Sequence, residues 1–324
     1  MLIQLSRYIL CIALLFSHAS VAQIEITDSH GKYKFDKPPE RIVVLNWALA
    51  EHLLELEVTP VGMADIAGFT KVANKPEIPQ NTFDVGNRLN PNLNKIRELK
   101  PEIILIGYSQ RSLIRPLSNI ATVIYFKNFG HRYNNYQKSR ERFTELAKLF
   151  NKTELAKTKL ATMDEQLTEL RASLHRAYED KPLPNVQLQT QSNHADLTTW
   201  LFGNNSMPYY AALELGLNVL SNPENDKFGV AKLTQTELSK LRRRTLGQLS
   251  MNETDNGPVS QSSNYCQLTL SNYSADAIKP TLNTNEKTKQ CTADLSYQNA
   301  FGGSFSILYL AQAIHQALTD DTYN

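Results

Sequence analysis

The stretch DVGNRLNPNLNKIRELKPEIILIGY, residues 84–108, decides how the chain is read. Val85-Gly86-Asn87 is a tight turn that presents Arg88. Leu93, Ile96 and Leu99 recur at helical spacing, so a short amphipathic helix follows and ends at Pro101, which can neither donate a backbone hydrogen bond nor continue the helix. Ile103-Ile104-Leu105-Ile106 is a continuous apolar run of strand length, the pattern of a parallel strand buried on both faces. Gly107-Tyr108 closes it at the carboxyl end, the edge where open α/β sheets hold ligands. One turn–helix–strand unit therefore brings an arginine and a tyrosine toward the same crevice.

The flanks repeat that grammar. Ile24–Phe35 alternates around His30-Gly31 and reads as a hairpin. Ile42–Leu45 is a first buried strand, followed by Asn46-Trp47 and a helix with Leu49, Leu53 and Leu56 inward. Val61-Gly62-Met63 and Thr122–Phe126 complete a strand–helix alternation, which implies a parallel α/β lobe over residues 23–136. Residues 137–181 turn to continuous helix. Asn151 breaks a first piece, Thr153 offers a cap, and a second piece runs to about Tyr178, roughly 25 residues and close to 40 Å long. This helix is expected to be a spine between two lobes.

Residues 182–324 open a second lobe on the same pattern, with Val186–Gln189 as strand, Leu201–Ser206 as turn, Tyr209–Leu215 as helix stopped by Gly216, and Thr234 as a helix cap. From Arg242 to about Thr292 nearly half the residues are Ser, Thr, Asn or Gln and no continuous apolar run appears. Such composition is expected to stay disordered or poorly packed. A reading-frame excursion and a polar loop replacing core elements are both open, the first preferred. Order resumes near Leu295, and Phe305–Leu318 forms a final helix.

The opening 22 residues have one arginine, an apolar core and Ser20-Val21-Ala22, the pattern of a secretory signal peptide cleaved after Ala22. Cys11 lies inside the apolar run and not at a lipidation site. Cys266 and Cys291 remain, enough for one disulfide but not a framework. A net charge of +2 gives no reason to invoke nucleic acid. The scattered histidines lack metal-motif spacing, and no Gly-x-Ser-x-Gly elbow or phosphate loop suggests an enzyme.

Taken in order, several short pieces resemble the periplasmic iron–siderophore binding proteins of ferric-hydroxamate type that serve ABC importers. They are Glu40-Arg41-Ile42-Val43 with Trp47 and Glu51; Val61–Asp65; Asp84-Val85-Gly86 with Arg88, Pro91 and Asn92; Lys100-Pro101; Gly107-Tyr108; Phe202-Gly203 with Asn205-Ser206; and Phe301-Gly302-Gly303. The resemblance covers roughly residues 38–241 and 295–318. It implies a class III periplasmic binding protein-like fold: two parallel-sheet α/β lobes joined by one long helix, with a shallow cleft and little hinge motion. It also implies a monomeric protein in the periplasm with no intrinsic cofactor and no protein-borne metal, the ferric siderophore being its ligand and an inner-membrane ABC permease its partner.

By the same resemblance Arg88 and Tyr108 contact the chelating centre, where a guanidinium fork and a hydroxyl suit anionic hydroxamate oxygens. Trp47, Phe69, Phe228, Tyr297 and Phe301 are candidate aromatic contacts, with core packing equally open for each. Phe228 and Asn299 depart from the aromatic residues usual in hydroxamate binders. Glu237 and, less directly, Glu51 are candidates for docking on permease arginines. A haem or cobalamin binder, an exported hydrolase and a non-functional remnant are the alternatives.

Overall fold

A computed structural model describes residues 23–73, 75–130, 134–179, 181–191, 198–221, 224–241, 265–270, 283–285, 290–295 and 299–319. The signal-peptide reading, most of the polar segment 242–294 and Tyr297 lie outside them. Among the described residues no helix is long and apolar enough to cross a membrane.

The chain opens with the hairpin β1 (Ile24–Thr27) and β2 (Lys32–Phe35). It then builds a five-stranded, all-parallel sheet from β3 (Ile42–Val44), β4 (Gly62–Met63), β5 (Phe83–Asp84), β6 (Ile103–Gly107) and β7 (Thr122–Phe126). The strand order is β5-β4-β3-β6-β7. The apolar runs of β3, β6 and β7 are continuous because each of these strands feeds two cores at once. Ile42, Val44, Ile103, Leu105, Ile124 and Phe126 join the main cluster, which also takes Leu49 and Leu53 of α1 (Trp47–Glu55). Val43, Leu45, Ile104, Ile106, Val123 and Tyr125 turn to a second cluster closed by Ile96 and Leu117. Ile96 belongs to α3 (Leu93–Glu98), and Leu117 to α4 (Ile114–Ser118); α2 (Ile66–Val72) lies between β4 and β5 in the chain.

Two helices link the lobes, α5 (Asn135–Leu149) and α6 (Thr153–Ala177), with Asn151 at φ 54° making the break between them. The long helix has the extent expected, but Thr153 is its first residue and not its cap. Lys152 holds that place without a side-chain hydrogen bond. Arg140 grips Asp164 with two hydrogen bonds of 2.7 and 2.8 Å, pinning α5 to α6.

The second sheet differs from a purely parallel one. Its parallel part is β10 (Asn218–Val219), β8 (Asn185–Gln191), β12 (Tyr265–Thr269) and β14 (Gln290–Asp294). Antiparallel strands β9 (Thr199–Phe202), β11 (Val230–Leu233) and β13 (Asn283–Asn285) extend it. So Leu201 and Phe202 end a strand that the sequence reading took as turn, and the turn is confined to residues 203–206.

The larger correction falls on the polar segment. Residues 265–269 are neither loop nor disorder but a strand between β8 and β14 in the second sheet. Cys266, Leu268 and Leu270 are fully buried in the main core. The reason is periodicity: Tyr-Cys-Gln-Leu-Thr-Leu alternates and has no run, yet alternation is all that one apolar face needs. Cys266 is disulfide-bonded, and the strand register sets it opposite Cys291. Helix α7 (Met207–Glu214) packs against α8 (Ser306–Thr319), and both are buried in the main core.

Candidate functional site

The strand order reverses direction between β3 and β6: the chain moves outward one way through β4 and β5, then the other way through β7. Loops leaving the carboxyl ends of β3 and β6 diverge there and open a crevice. Its floor is a net of amides. Asn128 donates to Asn46 Oδ1 (3.2 Å), Tyr108 N–H donates to Asn128 Oδ1 (3.0 Å), and Gly107 N–H donates to Gln110 Oε1 (3.1 Å). Gly107 is required for this closeness, since a Cβ there would lie 2.3 Å from Asn46 Nδ2. The net fixes where Tyr108 leaves the sheet.

Arg88 reaches the same edge on a stiff turn. Asp84 accepts from Gly86 N–H (2.7 Å) and Ile66 N–H (3.0 Å), and Gly86 adopts φ +90°, a conformation natural to glycine. Asn87 Oδ1 accepts from Leu89 and Asn90, and Asn92 caps α3. The guanidinium lies 3.6 Å from the Trp47 ring centre and makes a 3.4 Å ion pair with Asp65. Trp47 is held in turn by an indole N–H bond to Ala64 O (3.1 Å). Arg88 thus stands half-exposed on an aromatic shelf.

The second lobe contributes the facing wall. Asp226 Oδ1 accepts from Phe228 N–H (2.8 Å) and Val230 N–H (3.0 Å), forming the turn that carries Lys227 and Phe228. Lys227 Nζ sits 3.7 Å from the Tyr108 ring centre. A hydrogen bond from Lys227, then its positive charge, lowers the Tyr108 pKa below its ordinary value. Phe228 and Phe301 are half-buried with ring centres 5.7 Å apart, and Phe129 packs on Phe228 at 5.0 Å.

Of the residues singled out from sequence, Arg88 and Trp47 touch, Phe228 and Phe301 touch, and Tyr108 meets the second lobe through Lys227. Phe69 does not join them: it is 1% exposed and lies edge-on behind Trp47, as core. Lys227 and Phe129 were not anticipated. Phe129 follows the end of a parallel strand, so the rule that found Tyr108 applies to it as well. A lysine in a turn of the second lobe carries no such signal.

Glu51 is likewise not a docking residue, because it is fully buried. Its carboxyl accepts from the backbone of Gly303 (3.1 Å), Phe305 (2.8 Å) and Ser306 (3.1 Å), and from the Ser306 hydroxyl, at the amino end of α8. A carboxylate belongs there electrostatically, although burial raises its pKa to about 7. The adjacent His52 accepts from Ser304 N–H (3.0 Å), and burial, with Arg142 nearby, lowers its pKa to about 3. Glu51 and His52 join the lobes instead of meeting a partner. Glu237 is exposed and closes a reciprocal cap with Thr234. Among the described residues no three His, Cys, Asp or Glu side chains are grouped to hold a metal ion.

The family profile described as "Periplasmic binding protein" matches residues 42–211. The Fe(3+)-citrate-binding protein YfmC of Bacillus subtilis is 31% identical over 150 residues, 46% of this chain and 47% of its own. The iron(3+)-hydroxamate-binding protein FhuD of Escherichia coli is 32% identical over 133 residues, 41% of this chain and 45% of its own. The chain thus matches these curated relatives over about half their length. The siderophore-binding protein FhuD of Vibrio cholerae, solved with Fe3+-Desferal, superposes with a TM-score of 0.68 at 28% identity, covering 87% of this chain and 98% of that one. With a family profile spanning the first sheet, the helical spine and the start of the second lobe, the chain belongs to the periplasmic binding protein family.

Proposed function

We propose that the protein captures a ferric siderophore in the crevice between its lobes and hands it, chemically unchanged, to an inner-membrane ABC permease. The observation that carries this reading is the pair of polar groups set on aromatic surfaces at one sheet edge: Arg88 on Trp47, and Tyr108 facing Lys227 of the other lobe. A ferric chelate is a bulky body with an oxygen-rich, negatively polarised centre. Guanidinium and phenol donors meet the oxygens while Phe228 and Phe301 meet the organic scaffold. The iron travels as cargo inside its chelator, so no protein ligand to it is needed.

Export to the periplasm through the opening 22 residues and action as a monomer belong to the same reading. The relatives' names span hydroxamate and citrate chelates. A hydroxamate ligand is supported by the Desferal-bound neighbour, and the residues above accept carboxylate oxygens equally well. For docking on the permease, the exposed Glu237 on the second lobe remains the candidate.

The chain has two tryptophans, and Trp47 lies under Arg88, so intrinsic fluorescence reports directly on the crevice. Titration with ferric hydroxamates, ferric catecholates, ferric citrate, haem and cobalamin is expected to give saturable quenching with a ferric siderophore and none with cobalamin. Arg88→Ala is expected to weaken that binding by about 1.5–3 kcal/mol, the range for a hydrogen bond to a charged group. Unchanged affinity in a folded Arg88→Ala protein removes Arg88 from the site. Saturation by haem or cobalamin alone overturns the siderophore reading.

A further inference from the structure

Lys227 is the residue of the crevice that neither the strand-end rule nor the family resemblance singles out, and its surroundings differ from those of Arg88. Arg88 shares its charge with Asp65 at 3.4 Å. Among the described residues no carboxylate pairs with Lys227. The nearest in sequence, Asp226, turns Oδ1 to the backbone N–H groups of Phe228 and Val230. Instead the ammonium rests between two aromatic faces, 3.7 Å from the centre of Tyr108 and 5.1 Å from that of Phe228. An aromatic face steadies a cation without cancelling its charge. The backbone beneath is fixed as well, because Lys227 O accepts from the buried Asn135 side chain at 3.0 Å. Two further cations, Lys127 and Arg111, also act on Tyr108 from the first lobe.

A half-buried ammonium that no described carboxylate pairs interacts most favourably when a ligand brings negative charge and displaces water from around it. We propose that Lys227 is a charge-selecting residue, and that the crevice prefers ferric chelates of net negative charge, whether from iron-bound or pendant carboxylates, over neutral or cationic chelates with the same iron donors. This rests on the capture reading above and narrows it to a ligand class.

The test varies ligand charge alone. The iron(III) complexes of desferrioxamine B with its terminal amine free, acetylated or succinylated share three hydroxamates and differ in charge from positive through neutral to negative. These and ferric dicitrate are titrated by tryptophan fluorescence at fixed salt into the full-length protein and its Lys227→Gln and Lys227→Arg variants, with circular dichroism to check folding. The succinylated complex is expected to bind the unaltered protein about tenfold more tightly than the free amine. Lys227→Gln should shrink that spread to about twofold and weaken ferric dicitrate about tenfold, while Lys227→Arg keeps both. Should dicitrate alone bind, its loss or retention in Lys227→Gln decides. The proposal is overturned by a spread that is absent or survives in Lys227→Gln, and by equal weakening of every chelate, which would make Lys227 a strut for Tyr108. If none of the four chelates binds the unaltered protein while a ferric catecholate does, this inference falls and the capture reading stands; if no ferric siderophore binds, the capture reading falls, and this inference with it.

Discussion

Asn135 shows how much a single amide can hold. It is fully buried, and every polar atom of its side chain is used. Oδ1 accepts from Gly130 N–H (3.0 Å), while Nδ2 donates to Asn205 O (2.9 Å) and Lys227 O (3.0 Å). Asn205 answers from φ +73°, a left-handed conformation asparagine tolerates better than most residues. It donates to Gly130 O (2.9 Å) and accepts from Asn135 N–H (2.8 Å). The pair rivets the crossover between lobes to the turn that carries Lys227. Asn135→Ala strands one buried and two part-buried backbone groups and is expected to cost about 2–4 kcal/mol in urea unfolding. A loss below about 0.5 kcal/mol would mean that the rivet contributes nothing to stability. None of this was legible beforehand, because two asparagines 70 residues apart read only as turn formers. Arg88, Trp47 and Tyr108 were legible, because parallel strands all end on one edge and their next residues share it.

Among elements, continuous buried strands announce themselves and alternating ones hide. Ile103–Ile106 was recognised at once because both of its faces are apolar. Strand β12 escaped because its burial is one-sided, with Cys266, Leu268 and Leu270 inward and Gln267 and Thr269 half-exposed in a stretch of polar composition. The short antiparallel strands β9 and β11 escaped because each abuts a glycine-containing turn. The placement of β12 is open to a direct check. Leu268 is fully buried, registered beside Leu188 of β8 and part of the main core cluster, so Leu268→Ala should destabilise the protein by about 2–5 kcal/mol, as cavities in close-packed interiors do. A variant with an unchanged denaturation midpoint would put residues 265–270 outside the packed lobe and restore the reading of that segment as an unpacked insertion.

At the scale of the molecule, the two lobes are joined by more than the spine. The main hydrophobic cluster runs without interruption from the first sheet through α5 and α6 into α7 and α8. At its centre the consecutive residues Glu51 and His52 meet the start of α8 and pull stability in opposite directions with pH. Glu51 rises from 4.5 to about 7 on folding because burial disfavours its charge. Between those values the folded state holds the extra proton, so this contribution is full below 4.5 and lost as pH climbs through 7. His52 falls from 6.5 to about 3, again by burial. Between those values the unfolded state holds the extra proton, so its contribution is full above 6.5 and lost as pH drops toward 3. From 4.5 to 6.5 the two slopes offset, and the pair should leave stability nearly independent of pH. Removing one partner unmasks the other. Glu51→Gln should lose stability as pH falls from 7 to 5, and His52→Gln as pH rises from 4.5 to 7, each by up to about 1.4 kcal/mol per pH unit. Urea unfolding of the three proteins across this range measures both slopes. Parallel curves for all three would mean that neither group changes its proton affinity on folding, and that the contact between α1 and α8 is held by packing and hydrogen bonds alone.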